Sequence, residues 1–188
     1  MKGRFITFEG IEGTGKTTQI VLLQQNLQSR GVRVVLTREP GGTVIGDQIR
    51  KILLDPANTA LDPAAELLLY AAGRAQHLRE VILPALEGGM IVLCDRFSDA
   101  TLAYQGYGRG LDFEMILALD QLVTTGMRPE LTVLLDIDAA TGVARAHGRN
   151  RDRGLEAEAR FENEEIAFHE RVRQGYLTLG RREPGRIR

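Results

Sequence analysis

The stretch Gly10-Ile11-Glu12-Gly13-Thr14-Gly15-Lys16-Thr17 has the spacing G-x-x-x-x-G-K-[ST]. Glycines in such a loop let backbone N–H groups turn inward around phosphate oxygens, and a helix N-terminus behind them adds positive potential. Lys16 is then placed to reach the β- and γ-phosphates of a nucleotide, and the Thr17 hydroxyl to bind Mg²⁺. The chemistry needs a strand before the loop and a helix after it. The apolar run Arg4–Glu9 and the pattern Ile20, Leu23, Leu27 supply both. The competing dinucleotide fingerprint, read from Gly13, lacks the third small residue that helix packing requires.

Three further groups carry chemistry. Asp95-Arg96 follows the apolar run Met90–Cys94. An acid at the end of a buried strand sits where open α/β sheets bind ligands, so Asp95 is a candidate for the Mg²⁺ shell and Arg96 for a bidentate phosphate contact. Arg38, before Pro40-Gly41-Gly42, is a second phosphate candidate. Two arginines and a lysine on one crevice suit a reaction that joins two phosphate-bearing molecules, because cations must screen their repulsion. Arg145, Arg149, Arg151, Arg153 and Arg160 surround a polar segment with Gly148 and Gly154 as hinges. A charge-rich loop is ordinarily a solvated one. Here it is expected to be a mobile lid, about 147–160, since the phosphate loop itself contains no arginine. Tyr70 and Arg74, four apart on a helix, are weaker candidates for holding a base, and Tyr104 in a Gly-rich loop for a substrate wall.

The elements that must position these residues alternate strand and helix. Helices are expected over Lys16–Arg30, Val44–Leu54, a segment opened by Asp62 and Pro63 and kinked or broken at Pro84, Phe113–Val123, Ala139–Ala146 and Phe161–Leu179. Strands are expected over Arg4–Glu9, Val32–Thr37, Met90–Cys94 and Leu131–Ile137, with Arg186-Ile187-Arg188 resembling the start of a fifth. That order implies an α/β fold, a central parallel sheet flanked by helices in three layers. The chain has 188 residues, which suits one domain over 1–188.

Composition narrows the classes. Lys plus Arg number 24 and Asp plus Glu 25, a balance that argues against a dedicated nucleic-acid binder. The lone Cys94 excludes an intramolecular disulfide and is expected to be an inert core residue. His77, His147 and His169 match no metal spacing, and none has a visible catalytic partner. No signal peptide or membrane-spanning run is present, so a cytoplasmic protein is expected, with no membrane partner. A guanine-nucleotide switch would need an Asn-Lys-x-Asp string, which is missing.

Phe8-Glu9-Gly10 running into the phosphate loop, Thr37-Arg38-Glu39-Pro40-Gly41-Gly42-Thr43, Tyr70-Ala71-Ala72-Gly73-Arg74, Asp95-Arg96-Phe97 and Ala103-Tyr104-Gln105-Gly106 occur in this order. The set resembles the bacterial thymidylate kinases, P-loop nucleoside monophosphate kinases. The resemblance implies transfer of the γ-phosphoryl group of ATP to dTMP with Mg²⁺, and a homodimer to which Leu67, Leu68 and Leu69 could lend an apolar face. It implies that Gly10, Glu12, Gly13, Thr14, Gly15, Lys16, Thr17 and Thr18 serve ATP, with Thr17 and Asp95 near the metal. Glu12 would also face the deoxyribose 3′-hydroxyl, and Arg38 and Arg96 would grip the dTMP phosphate. Tyr70 would stack on thymine, Arg74 would bond its carbonyl, and Thr101, Tyr104 and Gln105 would complete the substrate wall. Arg149, Arg151 and Arg153 stay open as the lid's catalytic arginine. The family continues past this chain's last residue with a strand and a helix. The alternatives are a kinase for another nucleotide or nucleoside, or an inactive nucleotide-binding module.

Overall fold

The computed structural model describes residues 3–154 and 156–188, excepting the side chains of Arg153 and Glu156. Its strands are β1 (Arg4–Glu9), β2 (Val34–Arg38), β3 (Ile91–Asp95) and β4 (Leu131–Leu134). They form one parallel sheet in the order β2-β3-β1-β4. Helices α1 (Lys16–Ser29), α2 (Val44–Leu54), α3 (Pro63–His77), α4 (Leu83–Glu87), α5 (Ser98–Thr101), α6 (Phe113–Thr124), α7 (Ala139–Arg153) and α8 (Ile166–Arg182) surround it.

The apolar strands are covered on both faces, as a parallel sheet must be. Phe8 and Leu93 pack with Ile20 of α1 on one side. Phe5, Val92 and Cys94 pack with Leu78, Ile82 and Ala85 on the other. Val92, Leu93 and Cys94 have no exposed surface. Connections from β1 and β3 leave in opposite directions along the sheet, so a crevice opens between their C-terminal ends. Phe8 lies beside Asp95 in that register, which brings the phosphate loop after β1 against Asp95-Arg96 after β3.

Several elements differ from the expectations, each for a visible reason. The helix does not break at Pro84. A π-turn over Leu78–Ile82 intervenes, the Leu83 N–H bonds Leu78 O, and Pro84 falls in the first turn of α4, where no N–H is demanded. Helix α7 does not stop at Ala146. Asp138 caps it through the Thr141 N–H at 2.8 Å and it continues to Arg153, so half of the expected polar loop is helical. Helix α8 begins at Ile166 rather than Phe161, whose ring is buried in the core before the helix starts. The expected Gly-rich loop around Tyr104 is a buried π-helical segment, Leu102–Gly108. Its glycines serve packing: a Cβ at Gly108 would lie 2.7 Å from the Phe168 ring. Strand β4 is three residues shorter than expected. Beside it Arg186–Arg188 already pairs in parallel, Arg188 N–H donating to Thr132 O and Leu134 N–H to Arg188 O. Helix α3 starts as expected, with Asp62 accepting from Ala64 and Ala65 N–H, and runs unbroken through Gly73.

The phosphate loop is braced from behind by α7. A Cβ on Gly142 would come 2.6 Å from Glu12 O, and one on Gly13 would come 2.1 Å from Gly142 O. Two backbones therefore touch where no side chain fits. Gly142→Val is expected to destabilise the chain by roughly 2 kcal/mol through overpacking, read as a lowered urea midpoint. An unchanged midpoint would mean that this contact is dispensable.

Candidate active site

The loop after β1 wraps its own lysine. Lys16 Nζ donates to Gly10 O at 3.0 Å and Ile11 O at 2.7 Å, and lies 3.3 Å from Thr14 Oγ1. Burial lowers its pKa to about 8, with the Arg96 charge acting in the same direction and Asp95, Glu12 and Glu9 opposing. Gly15, at φ 89°, opens α1 without a side-chain cap, leaving the first N–H groups of the helix for an anion. Thr17 and Thr18 are exposed at that terminus. Thr17 Oγ1 donates to Asp95 Oδ2 at 2.9 Å across the β1–β3 junction. A hydroxyl and a carboxylate are hard oxygen ligands of the kind Mg²⁺ takes, with phosphates and water completing its octahedron. Among the described residues no three His, Cys, Asp or Glu side chains cluster as a metal cage.

Arg96 stands at the centre. Its backbone is left-handed (φ 73°), an uncommon state for a residue with a side chain. Its guanidinium donates to Gly10 O at 2.9 Å, to Tyr176 Oη at 3.0 Å and to Glu12 Oε1 at 3.0 Å, and lies over the Tyr104 ring. Tyr104 Oη donates to the same Glu12 oxygen at 2.5 Å. Burial alone would raise the Glu12 carboxyl. His169, Arg96, Lys16 and Tyr104 outweigh it and hold the group well below the usual carboxylate range.

Glu9 lies beneath this cluster, fully buried. It accepts the Phe97 N–H at 2.7 Å and the Tyr176 hydroxyl at 2.7 Å. Burial, then the Asp99 charge, raise its pKa to about 8 despite the opposing Arg96.

A second buried network lies alongside. Arg74 Nε donates to Glu39 at 2.8 Å, Nη2 to Thr101 at 2.9 Å and Nη1 to Asp120 at 3.3 Å, with the Phe97 ring beneath. His77, without a visible partner in the sequence, bridges Thr37 at 2.6 Å and Glu39 at 3.0 Å. Tyr70 packs half-buried against the cluster of Leu53, Tyr104 and Phe161, and burial raises its hydroxyl pKa.

The structure thus gathers Lys16, Thr17, Asp95, Arg96, Glu12 and Tyr104 at one crevice, with Arg74 and Thr101 joined to each other. Other candidates stand apart. Arg38 is half exposed and faces Asp47 at 3.6 Å. Gln105 is buried and donates to Glu66 at 2.7 Å, in a group that also holds Arg109 and Arg160. Arg149 donates to Asn150 and Glu162. Arg151 is exposed on α7, and the Arg153 side chain lies outside the described residues. Cys94 is in the core as expected, its thiol pKa pushed up by burial. Sequence reasoning missed Tyr176 and His169 on α8, and it took Glu9 only as part of the Phe8-Glu9-Gly10 motif, not as a site residue. Their spacing, i and i+7 on one helix, is the only signal that could have paired the first two.

No helix among the described residues is long and apolar enough to cross a membrane. The thymidylate kinase family model matches residues 8–188. A thymidylate kinase of Trichlorobacter lovleyi is 62% identical over 183 residues, covering 97% of this chain and 86% of its own. One of Geotalea daltonii is 61% identical over 188 residues, covering 98% and 87%. The crystal structure of thymidylate kinase from Ehrlichia chaffeensis aligns with a TM-score of 0.78 at 38% identity, covering all of this chain and 90% of that one.

Glu9 makes stability depend on pH with a defined sign. Its folded pKa lies above the unfolded value, so its contribution is complete below about 4.5 and declines as pH rises through about 8. Glu9→Gln keeps the acceptor for Phe97 and removes the titration. From pH 5 to pH 7.5 its stability relative to wild type should improve by on the order of 2 kcal/mol, measured by urea unfolding. A pH-independent difference between the two proteins would contradict this.

Proposed function

The chain belongs to the thymidylate kinase family and phosphorylates dTMP with ATP as donor, and we propose that the β1–β3 crevice carries that reaction as follows. The loop residues Gly10, Glu12, Gly13, Thr14, Gly15, Lys16, Thr17 and Thr18 bind ATP. Lys16 turns from its loop carbonyls to the β- and γ-phosphates. Thr17 and Asp95 hold Mg²⁺, which when bound neutralises charge on those phosphates. Arg96 and Arg38 hold the phosphate of dTMP, and Glu12 accepts the 3′-hydroxyl of its sugar. Tyr104 and Gln105 wall the sugar side, while Tyr70, Arg74 and Thr101 receive thymine. Such a reaction requires little covalent help from protein, so positioning and charge neutralisation supply the rate.

The observation that carries this reading is the convergence of Lys16, Thr17, Asp95 and Arg96 on the ends of two paired strands. The carboxylate of Glu12 is ionised there and beside Arg96, so it accepts rather than donates a hydrogen bond. The whole chain acts as one kinase domain. The segment 147–160, of which Leu155 lies outside the described residues, serves as the lid, and Arg149, Arg151 or Arg153 reaches the transferring phosphoryl group. The enzyme works in the cytoplasm.

We also propose a homodimer. Helix α3 packs between α2 and α6, and all three expose apolar side chains: Ile45 and Ile52, Leu68, and Met115 and Leu122. Light scattering of the purified chain should give twice the monomer mass, and Leu68→Asp should lower it. A wild-type monomer at assay concentration would overturn this.

The test of function is ADP release from ATP and Mg²⁺ with dTMP, dUMP, UMP, dCMP and AMP as acceptors. Strong preference for dTMP is expected. Preference for another nucleotide would overturn the roles given to Tyr70, Arg74, Thr101, Tyr104 and Gln105. In the same assay Arg96→Ala should reduce kcat/KM by at least about 100-fold, as expected for a group facing developing phosphoryl charge. Near-normal turnover would refute its role. Of the alanine variants at 149, 151 and 153, the one that loses kcat with little change in KM marks the lid arginine.

A further inference from the structure

Glu12 and His169 share an unresolved polar contact in an otherwise well-paired cluster. Glu12 Oε1 receives both Arg96 and Tyr104. Among the described residues, Glu12 Oε2 is buried without a hydrogen-bond partner, and so are both ring nitrogens of His169. The imidazole is fully buried, and its Nδ1 lies 3.4 Å from Oε2. Helix α8 brings it there on the face that also carries Val172 and Tyr176, both buried. The Phe168 ring meets the imidazole edge-on at 5.5 Å. One helix therefore reaches the crevice twice, through Tyr176 to Arg96 at the end of β3 and through His169 to Glu12 in the phosphate loop.

We propose that His169 is the positioning residue of Glu12: its Nδ1–H takes Oε2 and keeps the carboxylate aimed while Arg96 engages a substrate phosphate. The inference rests on the reading that Glu12 accepts the nucleotide 3′-hydroxyl. Arg96 supplies the charge that holds Oε1 in the structure. An arriving dianionic phosphate competes for that guanidinium. A buried carboxylate stripped of its cation would be left short of donors. Among the described residues the imidazole has no other hydrogen-bond partner, so it is free to close the few tenths of an ångström to Oε2. Oε1 is then released for the sugar hydroxyl, with Tyr104 beside it. A site built to bond a hydroxyl rejects an analogue lacking it, and that selectivity depends on the acceptor staying in place.

The experiment compares kcat/KM for dTMP with that for the same nucleotide lacking its 3′-hydroxyl. It is run on wild type, Glu12→Gln, His169→Phe, His169→Asn and His169→Gln, with thermal midpoints for each. Glu12→Gln should collapse the preference for dTMP. His169→Phe, which keeps a ring but no donor, should reduce that preference about tenfold, the size expected for one hydrogen bond to a charged group. His169→Asn places a donor where Nδ1 stood and should restore most of it. His169→Gln places the donor at the Nε2 position and should not. If His169→Phe does not fold, the contrast between Asn and Gln decides. A preference that falls with Glu12→Gln but is equal in wild type and all His169 variants overturns the role of His169 alone. A preference untouched by Glu12→Gln overturns the reading of Glu12, and this proposal with it. Equal loss toward both nucleotides in the His169 variants would assign the residue to packing.

Discussion

A buried guanidinium has to be surrounded by acceptors, and Arg96, at the end of β3, meets that demand with groups from two other parts of the chain: Gly10 O and Glu12 from the phosphate loop, and Tyr176 from α8. Losing any of these would leave charge short of partners in a site where water cannot fully replace them. The constraint propagates. The Arg96 backbone takes a left-handed turn to deliver the side chain, and the following Phe97 N–H must then be received, which Glu9 does. Glu9 in turn holds the Tyr176 hydroxyl, closing the circuit back on Arg96. The phosphate loop, the strand end that carries Asp95 and the last helix are therefore one unit.

A second circuit, through Glu39, Arg74, His77, Thr101 and Asp120, ties the turn after β2 to α3, α5 and α6. It lies on the side of the crevice assigned to thymine, while the Arg96 circuit lies on the side assigned to phosphate. Phe97 is the hinge between them, its N–H bonded to Glu9 and its ring under the Arg74 guanidinium. Both circuits join groups of the chain itself, so part of the ordering that transfer demands is built into the fold.

Much of this was legible in the residues. The phosphate loop, β1, α2 and the Asp62-Pro63 start of α3 follow from contiguous signals, and each stands within a residue or two of its expected place. The misplaced elements are those where a preceding turn, a helix cap or a tertiary contact overrode the simplest reading of the segment. Pro84 reads as a break, but the π-turn before it shifts the hydrogen-bond register. The polar run after Ala146 reads as a loop, but Asp138 starts a helix that carries through it. Tyr104 and Gln105 read as loop residues, but aromatic rings from α6 and α8 press on the glycines beside them and bury the segment.

The sequence by itself determined the chemistry on offer: a phosphate cradle with its lysine and hydroxyl, an Asp-Arg pair at a strand end, and a parallel α/β sheet. Those depend on residues adjacent in the chain and on periodicity, which reads directly. The tertiary structure alone decided partnership. Glu9 and Tyr176 are 167 positions apart, Arg96 and Tyr176 80 positions. A tyrosine or a histidine on an amphipathic helix has the same local pattern whether it meets a core or a carboxylate. Which it meets depends on strand order and on the way α8 packs against the Leu102–Gly108 segment. Those are set by the burial of the whole sheet, not by any segment that can be read alone.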